Sequence, residues 1–573
     1  MTKSLYEPIR NNFPLFIVIL LLNLQSTIFA YRHWNIGNIF LFGSISFFYS
    51  YATVLLYKTL NFKPLKILIY ITGLFLCITN IFLYLYFNTK ISPNIIQLLV
   101  ETNTQESLDF IGSFFINKIS IYLLLLTIIA IIVICTIERC KTYFQYFSEN
   151  KIVKISILCT MITGFFSFTF FYFTLFKCKS TIDIDEWVEK YEMRPMDNIS
   201  NLVYSLYDIF LMKEEVNRAI KTTSEIIAPS KTTADSLNII FVIGESFNKY
   251  HSNLYGYSHN TNPILNEEKD NGRVFVFNNV ISPYNTTSKV IRNMLCTNCV
   301  GEKERWSSFP FFPAIFKRAG YRVSFWDNQY NPLSRDEFDF SLNSFIHNDI
   351  IEKISYTDKN TKIFKYDHQL IENYFRSHNS NASELNLVMF HLIGQHFAYY
   401  NRIPHDSSRF HYLNADSIKH NSFGPSSQQI IADYDNATRY NDYVLGLILK
   451  YFQTKDAILV YLPDHGEEVY DYRNKFGRSW EKPIPHEVIK YQYEIPLIIW
   501  CSEKYKNSNP IVIDNIKNSL NRSFSSDNIC HLLFSLAKIK TTYYKPERDL
   551  LNPQYKSPQR VINDILFLPQ VNQ

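Results

Sequence analysis

Hydrophobic residues are distributed very unevenly along this chain of 573 residues. The N-terminal part contains five long apolar runs without a charged residue: Phe13 to Ala30, Ile39 to Tyr57, Ile67 to Phe87, Ile119 to Ile137 and Ile155 to Phe176. About 20 helical residues cross a hydrocarbon core of ~30 Å. Helices buried in a soluble protein would need polar faces, so the pattern predicts five membrane spans. No small-residue cleavage site follows the first run, which favours a retained anchor.

The positive charges between the runs predict the orientation of the spans. Loops on one side carry most of the Lys and Arg residues, namely Lys3, Arg10, Lys58, Lys63, Lys66, Arg139, Lys141, Lys151 and Lys154. The alternate loops carry only Arg32, Lys90 and Lys118. By the positive-inside rule the N-terminus is cytoplasmic, and an odd number of spans places everything after Phe176 outside the cytoplasm. In a bacterium with two membranes that compartment is the periplasm.

After the last run the pattern changes twice. Residues 178–235 mix aromatic and aliphatic residues with polar ones, which is typical of a segment that lies on a bilayer or packs on a neighbouring domain. The turn-rich stretch Ile227 to Asp235 ends this connector. We therefore expect a transmembrane domain at 1–177 with a periplasmic loop at 88–118, followed by the connector. A globular domain should occupy 236–573.

Apolar, β-branched runs alternate with helix-like segments in the globular domain. The runs are Asn238 to Ile243, Arg322 to Phe325, Leu385 to Phe390, Ala457 to Tyr461 and Ile495 to Trp500. Continuous apolar strands separated by helices predict an α/β sandwich, in which a mainly parallel central sheet has helices on both faces. Functional residues of such folds lie at the carboxyl ends of the strands.

The composition excludes several classes of protein. The chain carries 57 Lys and Arg against 52 Asp and Glu, a formal net charge of +5, which argues against a basic protein that coats nucleic acid. It has 15 glycines and 16% aromatic residues, which excludes collagen-like and low-complexity sequences. The mean hydropathy of −0.09 averages an apolar part and a polar part.

Acidic and histidine residues follow several of the predicted strands. Glu245 comes directly after the first strand, and Asp464 and His465 come after the fourth. Parallel strands end on the same side of a sheet, so these side chains should lie close together. Two carboxylates and an imidazole are candidates to hold Zn²⁺ with one coordination position left open. His396 follows the third strand, and His486 precedes the fifth. Each of these residues alone is also typical of a helix cap or a hydrogen-bonded structural residue.

A hydroxyl residue at a helix start is the candidate nucleophile. The segment Asn285 to Cys296 follows a strand-like run and is typical of a loop that enters a helix. A threonine there gains from the N–H donors of the helix N-terminus, which also favour a bound phosphate. Thr286 and Thr287 both stand at this point. On the residues alone, capping of the helix is the simpler interpretation.

Motifs spread over essentially the whole chain resemble a known family. Besides the five spans, the motifs are Ile243-Gly-Glu-Ser246, Asn253-Leu-Tyr-Gly-Tyr257, Thr261-Asn-Pro-Ile-Leu265, Ser324-Phe-Trp-Asp-Asn-Gln329, His391-Leu-Ile-Gly-Gln-His396, Asp464-His-Gly-Glu467 and Glu494-Ile-Pro-Leu-Ile-Ile-Trp500. This ordered set is similar to the bacterial phosphoethanolamine transferases of the alkaline phosphatase/sulfatase superfamily. Any single motif is weak, whereas the collinear set is specific.

The resemblance implies roles for particular residues. The residues implied to hold Zn²⁺ are Glu245, Thr287, Asp464 and His465. Thr287 rather than Thr286 is the implied nucleophile, and His396 and His486 are implied to lie near the transferred phosphate or a second metal. Asn328 is a substrate-binding candidate within its motif. The loop between spans 3 and 4 resembles a donor-binding helix, whose candidate ligands for the ethanolamine ammonium are Glu101, Asn103 and Glu106; a solvated amphipathic helix is the alternative.

The resemblance also implies an activity. Phosphoethanolamine would pass from phosphatidylethanolamine to lipopolysaccharide, on a lipid A phosphate or a core sugar, through a phospho-threonine intermediate. The enzyme would reside in the bacterial inner membrane with its catalytic domain in the periplasm, and its partners would be these lipids and no nucleic acid. Lys289 to Asn293 departs from the run usual in the lipid A enzymes. Together with Asp464 to Asp471, this departure looks closer to the branch that modifies core sugars.

Three other functions agree with part of the pattern. A phosphoglycerol transferase of the lipoteichoic-acid-synthase type shares the spans, the threonine and the metal ligands, and differs in its donor. A sulfatase needs Cys or Ser in the motif C/S-x-P-x-R, whereas Thr287 to Arg292 begins with Thr and has no proline. A catalytically inactive membrane sensor is expected to lose ligands, but Glu245, Thr287, Asp464, His465 and His396 are all present.

Overall fold

The structure is a computed structural model. It describes residues 2–27, 35–87, 89–101, 107–108, 110–111, 118–139, 151–191, 193–226, 231–234, 236–302, 304–329, 345–378, 385–404, 425–479 and 484–567. The chain divides into two units. The first unit consists of Met1–Glu215 with Ser479–Glu481, and the second of Val216–Arg478 with Lys482–Gln573.

The N-terminal part is helical. Its helices are α1 (Thr2–Asn11), α2 (Phe13–Leu24), α3 (Ile36–Leu60), α4 (Lys63–Phe87), α5 (Pro93–Glu101), α6 (Lys118–Arg139), α7 (Lys151–Leu175), α8 (Thr181–Tyr191) and α9 (Asn198–Ser224). Among the described residues, four helices are long and apolar enough to cross a membrane, and they correspond to predicted spans 2 to 5. The first predicted span is a shorter apolar helix, Phe13–Thr27.

Small residues bring two of the long helices close together. The Oγ of Ser44 on α3 donates to the Oγ of Ser167 on α7 at 3.0 Å. A Cβ atom on Gly164 of α7 would lie only 2.4 Å from the carbonyl oxygen of Ser44. Glycine and serine allow this close backbone approach, as they commonly do in membrane helices.

The second unit is an α/β domain. Its strands are β1 (Lys231–Thr232), β2 (Leu237–Gly244), β3 (Val274–Phe277), β4 (Val280–Ile281), β5 (Arg322–Asp327), β6 (Asp358–Lys359), β7 (Leu385–His391), β8 (Ala457–Pro463), β9 (Glu468–Val469), β10 (Phe476–Gly477), β11 (Leu497–Cys501), β12 (Phe524–Ser525), β13 (Ile539–Lys540), β14 (Arg560–Ile562) and β15 (Ile565–Phe567). Its helices are α10 (Pro263–Asp270), α11 (Thr287–Leu295), α12 (Phe312–Arg318), α13 (Asp349–Ser355), α14 (Asp367–Ser377), α15 (Pro425–Phe452), α16 (His486–Gln492), α17 (Glu503–Ser508), α18 (Pro510–Ser519) and α19 (Ile529–Leu536).

The central sheet is mixed, whereas the sequence predicted a mainly parallel one. Seven strands lie in the order β3–β11–β8–β2–β7–β5–β6. The pairs from β8 to β6 are parallel, but β11 runs antiparallel to both β8 and β3. Just after β8, the amide of Gly466 donates to the carbonyl oxygen of Gln492 at 3.0 Å, so the end of α16 lies at the same end of the sheet as the end of β8. The next strand therefore enters from that end and must run the opposite way.

Helices cover both faces of this sheet. Every residue of β2 is buried. Ile239 and Phe241 belong to the apolar core on one face, and Ile240 and Val242 belong to the core on the other. Successive side chains of a strand point to opposite faces, so a strand buried on both sides has a continuous apolar run, as the sequence predicted.

Candidate active site

Two neighbouring parallel strands bring the predicted acidic and histidine residues to one place. β2 and β8 are paired with Gly244 beside Pro463, and the next residues along the chain are Glu245 and Asp464. Both strands are buried along their whole length. Glu245, Asp464 and the following His465 are each 0% exposed, so they leave the sheet inside the protein.

The three side chains form one cluster. Ligand atoms of Glu245, Asp464 and His465 all lie within 4.8 Å of one another. Nε2 of His465 is 3.1 Å from Oδ2 of Asp464 and 3.5 Å from Oε1 of Glu245. Among the described residues, this is the only group of three or more His, Cys, Asp or Glu residues with ligand atoms so close together.

Backbone amides hold this cluster in place. The N–H groups of Ser246 and His465 donate to Oδ1 of Asp464 at 3.0 and 2.7 Å, which ties the turn after β2 to the turn after β8. Ser246 has a φ of 54°, a left-handed conformation that costs a non-glycine residue about 1–3 kcal/mol. Its hydroxyl donates to Oε1 of Glu245 at 2.7 Å. Oδ2 of Asp464 has no hydrogen-bond partner within the described part of the chain.

A third loop packs on Glu245. Gly394 has a φ of 52°, and a Cβ atom on it would lie 2.9 Å from the amide nitrogen of Glu245, so only glycine fits there. The amide of Gln395 donates to the carbonyl oxygen of Glu245 at 3.1 Å. These contacts bring the loop that carries His396 to the cluster.

The two threonines at the start of α11 differ in their contacts. Oγ1 of Thr287 donates to Oε2 of Glu245 at 3.2 Å and lies 3.5 Å from Nε2 of His465. Thr286 occupies the N-cap position, but its hydroxyl makes no capping bond and has no partner among the residues that the structure describes. The hydroxyl that reaches the cluster is therefore that of Thr287.

The protonation of the cluster fits a divalent cation. Nδ1 of His465 donates to the carbonyl oxygen of Gly466 at 2.8 Å, which leaves the lone pair on Nε2. Burial and the charge of Arg478 lower the pKa of His465 to about 4, so the ring is neutral at pH 7. Burial and the charge of Glu245 raise the pKa of Asp464 well above its usual range. A cation would displace the proton that two such carboxylates retain.

Two polar residues of the site were not predicted from the sequence. Nη1 of Arg478 donates to Nε2 of His465 at 2.9 Å. Nε2 of Gln329 donates to Oε2 of Glu245 at 3.2 Å and to the carbonyl oxygen of Leu392 at 2.7 Å. Gln329 ends a motif that follows a strand, and that position was a usable signal. Arg478 follows a short hairpin in a segment without apolar periodicity, which gives no such signal.

The other predicted site residues have different surroundings. Burial and the charges of Arg402 and Arg478 lower the pKa of His396 to about 3. Asn328 is buried, where its Nδ2 donates to Oδ1 of Asp367 at 2.9 Å and its Oδ1 accepts from the amide of Phe364 at 2.7 Å. His486 is exposed at the first position of α16.

The candidate ligands for the ethanolamine ammonium lie in or after a short helix. Glu101 is the last residue of α5. Asn103 and Glu106 lie outside the described residues. The structure therefore places only the backbone of Glu101.

Known proteins are similar to this chain in sequence and in fold. Residues 237–539, more than half of the chain, match the family model described as Sulfatase. The phosphoethanolamine transferase EptC of Escherichia coli O18:K1:H7 (strain RS218 / NMEC) is 24% identical over 526 residues, which cover 88% of this chain and 85% of that protein.

Two solved structures extend the comparison. The zinc complex of the C-terminal periplasmic domain of EptC from Escherichia coli has 26% identity and a TM-score of 0.50, and the match covers 59% of this chain and 93% of that chain. The integral membrane protein lipooligosaccharide phosphoethanolamine transferase A from Neisseria meningitidis matches 96% of this chain and 98% of its own. Its TM-score of 0.58 at 14% identity indicates a shared fold.

Proposed function

This chain belongs to the sulfatase family, and from that premise we propose that it is a membrane-bound phosphoethanolamine transferase. It transfers phosphoethanolamine from phosphatidylethanolamine to a lipopolysaccharide through a covalent intermediate on Thr287. The observation that carries this proposal is the Thr287 hydroxyl, which lies within 3.5 Å of both Glu245 and His465. The relatives named as phosphoethanolamine transferases support the identity of the transferred group.

Zinc is the proposed cofactor. Glu245, Asp464, His465 and the Thr287 hydroxyl would hold the ion, and carboxylate, imidazole and oxygen ligands are among those Zn²⁺ prefers. When bound, Zn²⁺ would favour the deprotonated hydroxyl and offset negative charge on the phosphoryl oxygens. The zinc complex of the similar EptC domain supports this choice of metal.

The first half-reaction opens the donor phosphodiester. Oγ1 of Thr287, which donates to Oε2 of Glu245 at 3.2 Å, attacks phosphorus. The bond between Oγ1 and phosphorus forms as the bond from phosphorus to the glycerol oxygen breaks, and diacylglycerol leaves with the proton that the Thr287 hydroxyl gives up. Because α11 begins at Thr287, its N-terminal N–H groups stabilise the negative charge on the phosphoryl group.

The second half-reaction passes the group to the acceptor. A hydroxyl of a core sugar or a phosphate of lipid A attacks phosphorus, and the bond to Thr287 breaks. His396, on the loop whose Gln395 amide donates to the carbonyl oxygen of Glu245 at 3.1 Å, is the first candidate to accept the proton of the attacking group. His486, exposed at the start of α16, is the second candidate for this role.

The membrane part brings the enzyme to its two lipid substrates. We propose five spans in the bacterial inner membrane over residues 1–177, with Phe13–Thr27 belonging to the first, a connector at 178–235 and a periplasmic catalytic domain at 236–573. Both substrates lie at a bilayer surface, so an anchored enzyme encounters them in two dimensions. Glu101, Asn103 and Glu106 would bind the ethanolamine ammonium of the donor.

Capture of the covalent intermediate tests this function. The purified full chain, loaded with zinc, is incubated with phosphatidylethanolamine labelled in its head group, and peptide mass spectrometry locates the label. We expect one phosphoethanolamine group on Thr287 and none in the variant Thr287→Ala, because the attacking oxygen is then missing. Thr286→Ala is the matched control and should keep the adduct.

Three outcomes would contradict the proposal. An adduct that persists on Thr286 in the Thr287→Ala variant would move the nucleophile by one residue. Label from phosphatidylglycerol, but none from phosphatidylethanolamine, would identify a phosphoglycerol transferase instead. Lipopolysaccharide that carries equal phosphoethanolamine with and without the gene, as measured by mass spectrometry, would exclude it as the acceptor.

A further inference from the structure

Arg478 occupies the histidine nitrogen that a metal ion needs. Its Nη1 donates to Nε2 of His465 at 2.9 Å. Because Nδ1 of that ring carries a proton and donates to the carbonyl oxygen of Gly466, Nε2 has the ring's remaining lone pair. One lone pair accepts either an N–H group or a cation. The guanidinium and a zinc ion therefore compete for His465.

A second partner for the guanidinium lies next to it. Oε2 of Glu467 is 3.9 Å from Nε of Arg478, which is beyond hydrogen-bond distance. This oxygen is buried and has no hydrogen-bond partner in the described ranges of the chain. The other oxygen, Oε1, accepts from the Tyr399 hydroxyl at 3.0 Å and so holds the carboxylate in place. A shift of about 1 Å would bring the guanidinium into contact with Glu467.

The position of Arg478 also brings it close to the nucleophile. The hairpin of β9 and β10 ends at Gly477, whose φ of 93° turns the chain into Arg478. Oγ1 of Thr287 and Nη1 of Arg478 both lie within 3.5 Å of the same His465 nitrogen. A phosphoryl group attached to Thr287 is therefore within reach of the guanidinium.

We propose that Arg478 is a catalytic residue that exchanges partners when the metal binds. Its guanidinium donates to Nε2 of His465. A divalent cation that takes this nitrogen would move the guanidinium to Glu467 and to the phosphoryl oxygens at Thr287. The guanidinium's two parallel N–H groups fit two oxygens of one phosphoryl group, which a lysine ammonium does not. The phosphoryl ligand rests on the proposed function, whereas the competition at His465 does not depend on it.

Zinc binding tests the competition without any substrate. The full chain in detergent is freed of metal and titrated with Zn²⁺ against a chromophoric chelator. Arg478→Met should bind zinc about tenfold more tightly than the wild type, because one charge-assisted hydrogen bond no longer competes. Equal or weaker zinc binding by the variant would overturn the competition.

Formation of the Thr287 adduct tests contact with the phosphoryl group. At saturating zinc, labelling from phosphatidylethanolamine should slow about 100-fold in Arg478→Met, the usual effect of losing one donor to developing charge. If the methionine variant fails to fold, Arg478→Lys can replace it, because it keeps a cation beside Glu467. This variant should also be labelled slowly, because an ammonium group lacks the two parallel N–H groups of a guanidinium. Wild-type labelling rates in the variants would overturn the phosphoryl contact.

A neighbouring arginine provides the matched control. Arg473 lies in the same hairpin, where its Nη2 is 2.8 Å from Oε2 of Glu468. Arg473→Met should leave zinc affinity and labelling within about twofold of the wild type. If Arg473→Met changed zinc affinity and labelling as much as Arg478→Met does, the cause would be a general loosening of the hairpin, and the role assigned to Arg478 would be overturned. A wild type that forms no adduct would refute the proposed function and the phosphoryl contact together, and the zinc titration alone would decide the competition.

Discussion

At the scale of single residues, His251 joins two carboxylates inside the α/β unit. Its Nδ1 is 2.6 Å from Oδ1 of Asp435, and its Nε2 is 3.3 Å from Oδ1 of Asp471. The Tyr257 hydroxyl donates to the other oxygen of Asp435 at 2.8 Å. Burial alone would lower the pKa of His251, but the two carboxylates raise it to about 10. The imidazolium therefore holds α15 to the chain segments after β2 and β8.

Replacing this histidine should give a pH-dependent loss of stability. We expect His251→Gln to lower the free energy of unfolding by about 3–5 kcal/mol below pH 6.5, because two buried carboxylates lose their cation. A histidine whose pKa rises from 6.5 to about 10 on folding contributes fully below pH 6.5 and loses that contribution as the pH approaches 10. Urea unfolding of wild type and variant should therefore converge over this range. A difference that stays constant would contradict a charged His251.

Residues were predictable from the sequence where they directly follow a strand. Glu245 and Asp464 are the first residues after β2 and β8, so the pairing of the strands alone brings them together. The hydroxyl of Thr287 reaches them because α11 starts there. The residues alone did not separate Thr287 from Thr286, whereas the family resemblance favoured Thr287. Arg478 depends on the path of a hairpin, and such contacts between distant segments leave no periodic pattern.

At the scale of elements, the turn after β8 is pressed against the end of α16. A Cβ atom on Gly466 would lie 2.3 Å from the carbonyl oxygen of Tyr491. The obstacle is backbone rather than a flexible side chain, so the turn would have to move and take His465 with it. Gly466→Ala should therefore lower the rate of transfer about 100-fold, the typical result of a displacement of about 1 Å in an active site.

The rate of head-group transfer at saturating zinc and donor measures this effect. Gly43→Ala in α3 is the matched control, because a Cβ atom there would meet nothing within 4 Å among the described residues, and it should keep the wild-type rate. Full activity of Gly466→Ala would show that the turn can adapt without moving its histidine.

The strands were predictable as elements, but their directions were not all predictable. All five predicted apolar runs form strands of the central sheet. The direction of β11 follows from the contact between Gly466 and Gln492, which places the end of α16 beside the end of β8, and strand propensity contains no information on that contact. If the chain had passed to the opposite end of the sheet before β11, the same run of residues would have formed a strand parallel to β8.

At the scale of the whole molecule, the proposed metal site should couple metal binding to the stability of the α/β unit. Glu245 and Asp464 are buried together, so a bound cation should stabilise the fold by about 2.7 kcal/mol at a free concentration one hundred times its dissociation constant. A chelator should lower the unfolding temperature of the wild type. Asp464→Asn replaces a carboxyl group whose ionisation is opposed by burial and by Glu245, so its metal-free form should unfold at the wild-type metal-free temperature or above it.

Thermal unfolding followed by circular dichroism, with zinc and with chelator, measures this coupling. The zinc-dependent shift should be present in the wild type and absent in Asp464→Asn. An equal shift in both proteins would place the metal elsewhere.

The division into a helical part and an α/β unit was itself predictable from hydropathy, since charge-free runs and strand-like runs occupy separate parts of the chain.

The two amides that bind Oδ1 of Asp464 bear on the order in which the protein folds and binds a metal ion. They fix Asp464 with peptide groups of its own chain, so this side chain can reach its place before an ion binds. Assembly and activation thus become separate events. If zinc is the cofactor as proposed, a shortage of the metal should leave folded protein that becomes active only when the ion is supplied.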